Sequence, residues 1–269
     1  MIRAERPRLG SGLATLLASV LAVGCRSTGW DQAPELRVAV WNIHHGRGLD
    51  EAVDLGRIAE ELRAMSPDVV LLQEVDVGVR RSGRVDTPRE LGARLGMHAA
   101  FERNIRFQGG DYGNAILCRW PITAHHNLRY GMLRAGEQRG LLTAEVEAPS
   151  GWLRIGCTHL DSRRDDAERM QNAPEILRLV EAGALDLVGG DFNDDPGSSV
   201  HASLCRLMAD CWREAGVGDG ETYPAAAPAK RIDWLLRARR GSWRTIRAEV
   251  LATEASDHRP TLFVLERVR

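Results

Sequence analysis

Lysine is almost missing from this chain of 269 residues: Lys230 is the single one among 36 basic side chains. Such an arginine bias arises from genome composition as readily as from phosphate recognition, so it carries little weight. A net charge of -1 excludes a strongly basic nucleic-acid binder, although a local basic patch fits within a balanced total. No paired CxxC spacing is present, which argues against a structural zinc site. Long hydrophobic runs are lacking as well. The longest, "SGLATLLASVLAVG", is too short to span a bilayer. Beyond a polar tether after Cys25, no internal repeat, low-complexity tract or domain linker appears. A single domain over residues 36–269 is therefore expected. What is there, 43% apolar and 27% charged residues, is ordinary for a soluble globular fold.

That short apolar run follows an arginine-bearing stretch, "MIRAERPRLG", and ends at Cys25. This is the form of a secretory signal, and "LAVGC" resembles a bacterial lipobox, in which cleavage precedes a cysteine that then carries lipid. The expectation is a lipoprotein signal over residues 1–24, then a lipidated Cys25 with a tether through residue 35. It places the domain on a membrane facing the periplasm or outside. Export permits disulfides. Cys118 and Cys157 fall in core-like strands, where free thiols are common. Cys205 and Cys211 are close enough to pair if the helix between them ends early.

Along the domain, "LRVAVWNI" and "DVVLLQEV" read as buried strands. Between them "DLGRIAEELRAMS" has helical spacing, with Asp54 as its cap. "TPRELGARLG" is a short helix with Pro88 near its start. "GNAILCRW", "ITAHHNLRY", "GLLTAEVEA" and "WLRIGCTHL" are strands, and "APSG" joins the last two as a hairpin. "DDAERMQNAPEILRLVEAG" is helical with a kink expected at Pro174. "ALDLVGG", "RIDWLLRA", "WRTIRAEVL" and "PTLFVLERV" complete the strands. Hairpins mixed with helical crossovers imply mixed sheets covered by helices, an α/β layered domain.

Polar residues gather where these strands stop. Asn42 closes the first and Glu74 the second; His159 and Asp161 end "CTHLD"; Asp191 and Asn193 follow "LVGG". Asp233 interrupts "RIDWLL", and Asp257 and His258 precede the last strand. One acid after a strand is usually a turn residue or a cap. A whole set at strand ends matches the placement of α/β active sites.

The stretches "WNIHHG", "PDVVLLQEVD", "THLD", "GGDFND", "RIDWLL" and "SDHRP" together resemble the endonuclease/exonuclease/phosphatase superfamily. These are metal-dependent phosphohydrolases that include DNase I and apurinic endonucleases. "WNIHHGRGLDEAVDLGRIA" and "RRSGRVDTPRELGARLGM" look most like its compact bacterial hydrolase branch, which is similar to the phosphodiesterase-like domain of GPI-anchor lipid remodelling proteins. The resemblance runs from Leu36 to the C-terminus and implies a four-layer sandwich, two mixed β-sheets face to face with helices outside.

It also implies roles. Glu74 and Asp257 would hold a cation, with Asn42 contributing directly or by orienting a phosphate oxygen. An all-oxygen set suits Mg²⁺ or Mn²⁺ better than zinc. Asp191 would take the proton of the attacking water, and Asn193 would hold water or phosphate. His258 would hydrogen-bond the phosphate, oriented and kept charged by Asp233, and His159 would meet another phosphate oxygen or the leaving group. Asp194 and Asp195 are expected to cap the next helix. Weaker candidates are His44 and His45 at the mouth, Tyr112 or Asn114 facing the phosphate, and Arg81 and Arg139 as anion contacts. His125 and His126 are expected to be structural.

The favoured reading is a monomeric, lipid-anchored phosphodiesterase or phosphatase acting on a phospholipid, a glycolipid or another small phosphate ester. A secreted nuclease is the alternative within the superfamily. The compact length and the lack of a basic-aromatic stretch speak against it. An inactive surface binding protein is the third reading, opposed by every expected polar position being filled.

Overall fold

The structure, a computed structural model, describes residue 1 and residues 35–268. The expected signal, Cys25 and all of the tether but Glu35 lie outside the described residues. Among the described residues there are twelve strands: β1 (Leu36–Asn42), β2 (Val69–Val77), β3 (His98–Phe107), β4 (Gly110–Cys118), β5 (Ile122–Arg129), β6 (Gly140–Ala148), β7 (Gly151–His159), β8 (Leu187–Asp191), β9 (Met208–Asp210), β10 (Asp233–Ala238), β11 (Trp243–Val250) and β12 (Thr261–Arg267). Five α-helices accompany them, α1 (Leu55–Met65), α2 (Thr87–Leu95), α3 (Ala167–Glu181), α4 (Ser199–Leu204) and α5 (Cys211–Ala215), with two short 3-10 turns, His44–Gly46 and Arg80–Ser82.

The strands form two mixed six-stranded sheets, ordered β11-β12-β1-β2-β4-β3 and β5-β6-β7-β8-β10-β9. Their facing sides share one core. Val38, Val40, Leu71 and Ile116 come from the first sheet, and Leu142, Ile155, Cys157 and Leu235 from the second. The outer face of the first sheet packs on α1 and α2 through Trp41, Leu72, Ile58, Leu62 and Leu91. That of the second packs on α3 and α4 through Phe192, Trp234, Ile176 and Val200. The result is the expected four-layer α/β sandwich.

Local chemistry accounts for most boundaries. The Asp54 carboxylate accepts from the Gly56 and Arg57 amides and starts α1, satisfying donors a helix leaves open. Pro149 and Ser150 form the two-residue turn between β6 and β7, which pair down to Ala148 and Gly151. α3 runs on through Pro174. Between Cys205 and Cys211 the chain turns into β9, and both thiols are free, as are Cys118 and Cys157. β3 is an addition to the elements expected from sequence. It is an edge strand whose residues are mostly only half-buried, so its apolar signal is weak.

Between the sheets, a Cβ on Gly189 of β8 would lie 2.7 Å from Leu71 Cδ1 and 3.0 Å from Val40 Cγ2 of the opposite sheet. Glycine is what allows that approach.

Candidate active site

Three strands of the second sheet bring their polar residues side by side. In the β7–β8–β10 register Asp191 is the partner of His159 on one side and of Asp233 on the other. All three are buried. His258, just before β12, completes the row: its Nδ1 lies 2.9 Å from Asp233 Oδ2 and its Nε2 3.8 Å from Asp191 Oδ2. The Thr222 hydroxyl donates to the same Asp233 oxygen at 2.5 Å. The His258 segment is tied to β1, because Trp41 Nε1 donates to His258 O and the Ser256 hydroxyl to Asn42 O.

The first sheet contributes Asn42 and Glu74. The β2–β4 register shifts between Leu72 and Val75, and Glu74 sits in that bulge with φ +58°. Bulges re-aim side chains, and a non-glycine residue in this region costs about 1–3 kcal/mol. A few fully buried aliphatic side chains, each contributing about 1.5–3 kcal/mol, are enough to sustain it. Asn42 Nδ2 donates to Glu74 Oε1 and to Asp191 Oδ2, both at 3.1 Å. The amide therefore links the carboxylates of the two sheets. Its Oδ1 accepts from His44 N at 3.1 Å and retains a lone pair.

Glu74, Asp257, Asp191, Asn193, His159 and His258 all line one cavity of about 700 Å³. Asp257 is partly open, with its side chain 37% exposed and 3.6 Å from His44 Nδ1. Asn193 donates its backbone N–H to Asp191 Oδ1 and one amide hydrogen to Leu160 O.

The titratable groups are pushed in different directions. Burial raises Asp191 to about 7 and Asp233 adds to the rise, against His258 and the hydrogen bonds from Asn42 and Asn193. Burial works against the charge on His258, but the Asp233 carboxylate, with Asp191 and Asp257, outweighs it and lifts the imidazole to about 10. His159 goes the other way. Burial, then the charges of Arg139 and His258, hold it well below its ordinary value. Arg139 Nη1 lies 3.0 Å from His159 Nδ1; an arginine only donates, so His159 is neutral and its Nε2–H faces Asp191 Oδ2 at 3.3 Å. Asp191, Asp233 and His258 lie close enough to hold a cation. The hydrogen bond to Asp233 and the charge on His258 leave that imidazole no lone pair for an ion.

Other residues sort clearly. Arg81 pairs with the buried Asp76 and lies over the Tyr112 ring, and both Arg81 and Tyr112 line the cavity. Asn114 is packed, donating to Gly140 O and Cys157 O between β6 and β7. Asp161 is used by Arg163, whose backbone N–H it accepts. His125 is exposed beside Glu102. Capping of α4 belongs to Ser198, not to Asp194 or Asp195. Asp194 instead pairs with Arg169. Glu137, Arg169, Tyr223 and Lys230 also line the cavity. None of the four stands out in the sequence as a site residue, because loop residues and residues on an outer helix lack the signature of a strand end.

Residues 39–258 match the model of the Endonuclease/Exonuclease/phosphatase family, well over half of the chain. The protein belongs to that family. Endonuclease/Exonuclease/phosphatase members are phosphoester hydrolases, generally dependent on a divalent metal. A relative, "Uncharacterized protein YbhP" of Escherichia coli (strain K12), is 26% identical over 209 residues, 73% of this chain and 82% of its own. An endonuclease/exonuclease/phosphatase from Beutenbergia cavernae DSM 12333 has the same fold, with a TM-score of 0.70 at 23% identity, over 87% of this chain and 72% of that one. So does a mannosyl-6-phosphatase from Bacteroides thetaiotaomicron VPI-5482, with a TM-score of 0.71 at 17% identity, over 86% of this chain and 99% of that one.

Proposed function

We propose that this member is a divalent-metal-dependent phosphodiesterase or phosphatase acting on a phospholipid, a glycolipid or another small phosphate ester. One observation carries the reading. A buried carboxylate raised to about 7, an imidazolium and two cavity-facing carboxylates converge in a single cavity.

The residues suit a hard cation such as Mg²⁺ or Mn²⁺. Among the described residues, Glu74 accepts one side-chain hydrogen bond, from Asn42, and Asp257 Oδ1 lies 3.4 Å from the Ser256 hydroxyl, whose one hydrogen goes to Asn42 O. Both keep lone pairs for an ion, and Asn42 holds Glu74 in place. A cation there would offset charge on the phosphoryl oxygens and on the leaving oxygen.

Asp191 takes the proton of the attacking water, since a base near neutral pH balances ionisation against proton affinity. His258, held charged by Asp233, donates from Nε2 to a phosphoryl oxygen. His159 presents its Nε2–H to a second oxygen or to the leaving group, and Asn193 orients Asp191 through its backbone N–H. Arg81, Arg139 and Lys230 offer positive charge on the cavity wall, and a 700 Å³ space lies in the range of small-molecule sites. Lipid attachment at Cys25 belongs to the same proposal. Several acyl chains, at about 0.8 kcal/mol per buried CH₂, would hold the domain at a membrane, where such esters occur.

The test is a screen of the purified full chain with Mg²⁺ or Mn²⁺ against phospholipids, nucleic acids and small phosphate esters. A mannose 6-phosphate ester is included because a fold neighbour is named for it. Turnover of a lipid or small ester, abolished by EDTA and restored by the cation, is expected. Full activity in EDTA with no bound metal by elemental analysis overturns the metal-dependent reading, and activity confined to nucleic acids overturns the substrate class. Mass spectrometry of the native N-terminus tests the anchor separately: an unlipidated Cys25 removes it.

A further inference from the structure

We infer that His44 and His45 bring imidazole nitrogens to the cation held by Glu74, so that the site prefers a first-row transition-metal dication over Mg²⁺. This rests on the proposed cation at Glu74 and names its chemistry.

The geometry comes first. His44, His45 and Glu74 each offer a donor atom within 4.8 Å of the other two. Donors bound at about 2.0–2.2 Å to one transition-metal ion stand up to roughly 4.4 Å apart, so a small closure joins all three. Asp257 Oδ1, 3.6 Å from His44 Nδ1, is placed to be a fourth. The donor set then has two nitrogens and two oxygens, which suits transition metals, whereas Mg²⁺ keeps to oxygen.

The second observation is independent of that cluster. His45 is 5% exposed, and its Nδ1 is shut off from solvent with no hydrogen-bond partner among the described residues. Nor does any side-chain hydrogen bond of His45 appear among those residues, and buried polar atoms are seldom left so. A metal ion satisfies an imidazole nitrogen directly. The backbone agrees: His44, His45 and Glu74 have φ of +44°, +48° and +58°. All three donors of the cluster thus stand in the left-handed region that side chains avoid.

Metal-stripped full-length protein is titrated calorimetrically with Mn²⁺ and with Mg²⁺, and the Mn²⁺ form is examined by electron spin-echo envelope modulation. Tighter binding of Mn²⁺ than Mg²⁺ is expected, together with ¹⁴N modulation from imidazole. His45→Asn should lower Mn²⁺ affinity by at least roughly 10–100-fold, the loss that follows even when a residue merely supporting a metal ligand is removed, while Mg²⁺ affinity stays the same. Absence of ¹⁴N modulation in the unaltered protein overturns the inference whatever the variants do. So does an equal effect of His45→Asn on both ions in a protein that keeps its melting temperature. Glu74→Gln separates the two readings. If it abolishes binding of both ions while no nitrogen signal exists, only the imidazole inference falls. If both ions bind it undiminished, the cation site itself is misplaced.

Discussion

Two buried aspartate–histidine pairs, at different places in the second sheet, are nearly identical by distance and opposite in use. Asp233 meets His258 at 2.9 Å, and Asp210 meets His201 at 2.9 Å. Asp210 is fully engaged. Its Oδ1 accepts from the Trp212 and Arg213 amides that open α5, and Arg231 grips both oxygens at 3.1 and 2.6 Å. His201 lies edge-on to the Trp234 ring, away from the cavity. Asp233 instead leaves Oδ1 without a partner among the described residues, and His258 turns its Nε2 toward Asp191 on the cavity wall. The pair that is saturated locks the chain, and the pair that is not retains a proton donor for a ligand. Counting the remaining partners, not measuring the shared bond, tells them apart.

The largest expected effect breaks the open pair. Asp233→Asn should lower kcat by roughly 10²–10⁴, the usual worth of a positioned proton donor or acceptor, with a smaller change in stability. Steady-state kinetics beside a denaturant titration checks this. If stability collapses while kcat holds, the two pairs are alike after all. Asp210→Ala should do the reverse. Leaving Arg231 buried without its partner costs about 3–5 kcal/mol, read from urea unfolding, whereas kcat of the folded protein should be unchanged.

pH should separate the pairs at opposite ends. His258 is raised from 6.5 to about 10. Its contribution to stability is complete below its ordinary value and is lost as pH climbs toward 10. Asp210 is depressed, burial being outweighed by His201 and Arg231; its contribution is complete above the ordinary carboxylate value and is lost as pH falls through the lowered one. Melting temperature against pH should therefore lose its alkaline decline in His258→Gln and its acid decline in Asp210→Asn. Asp191 has the opposite sign for an acid. Raised from 3.8 to about 7, its charged form destabilises the fold above neutrality, so Asp191→Asn should melt higher at pH 8 while losing activity. The smallest effect is His201→Gln, about 1–3 kcal/mol for one hydrogen bond to a charged group, with Asp210 still held by Arg231.

Much of this was legible in the sequence because apolar strands ending in polar residues are unusual. Asn42, Glu74, His159, Asp191 and Asp233 all stand at such ends or interruptions, and the structure gathers them with Asp257 and His258. The β7–β8 register follows from strand order, and neighbouring strand ends then coincide. What stayed hidden had no periodic signal. Arg139 reads in the sequence only as an anion contact, although it sets the tautomer of His159. Glu137 and Lys230 reach the cavity from loops. Asp194 and Asp195 read as caps because turn chemistry favours acids there, yet Arg169, arriving from α3, claimed Asp194. The bulge that aims Glu74 is invisible in "LLQEV", which reads as unbroken strand. Strand position alone does not distinguish Asp210 from Asp233, since both stand at the end of a strand; only the resemblance of "RIDWLL" singles out Asp233, and the physical difference lies in partners distant in sequence.

The close approach at Gly189 has a further consequence. Asn42 and Glu74 ride on one sheet, and His159, Asp191 and Asp233 on the other, so the reacting geometry exists only across the seam between them. A slip of one layer along the other hardly changes how much surface is buried, but it shifts every one of those separations at once, and misplacement by about 1 Å can cost about 10²-fold in rate. Turnover thus works as a vernier for the alignment of the layers. Bulkier side chains at Gly189, Val40 or Leu71, which line the core and not the cavity, would register as slowed chemistry before they register as lost fold.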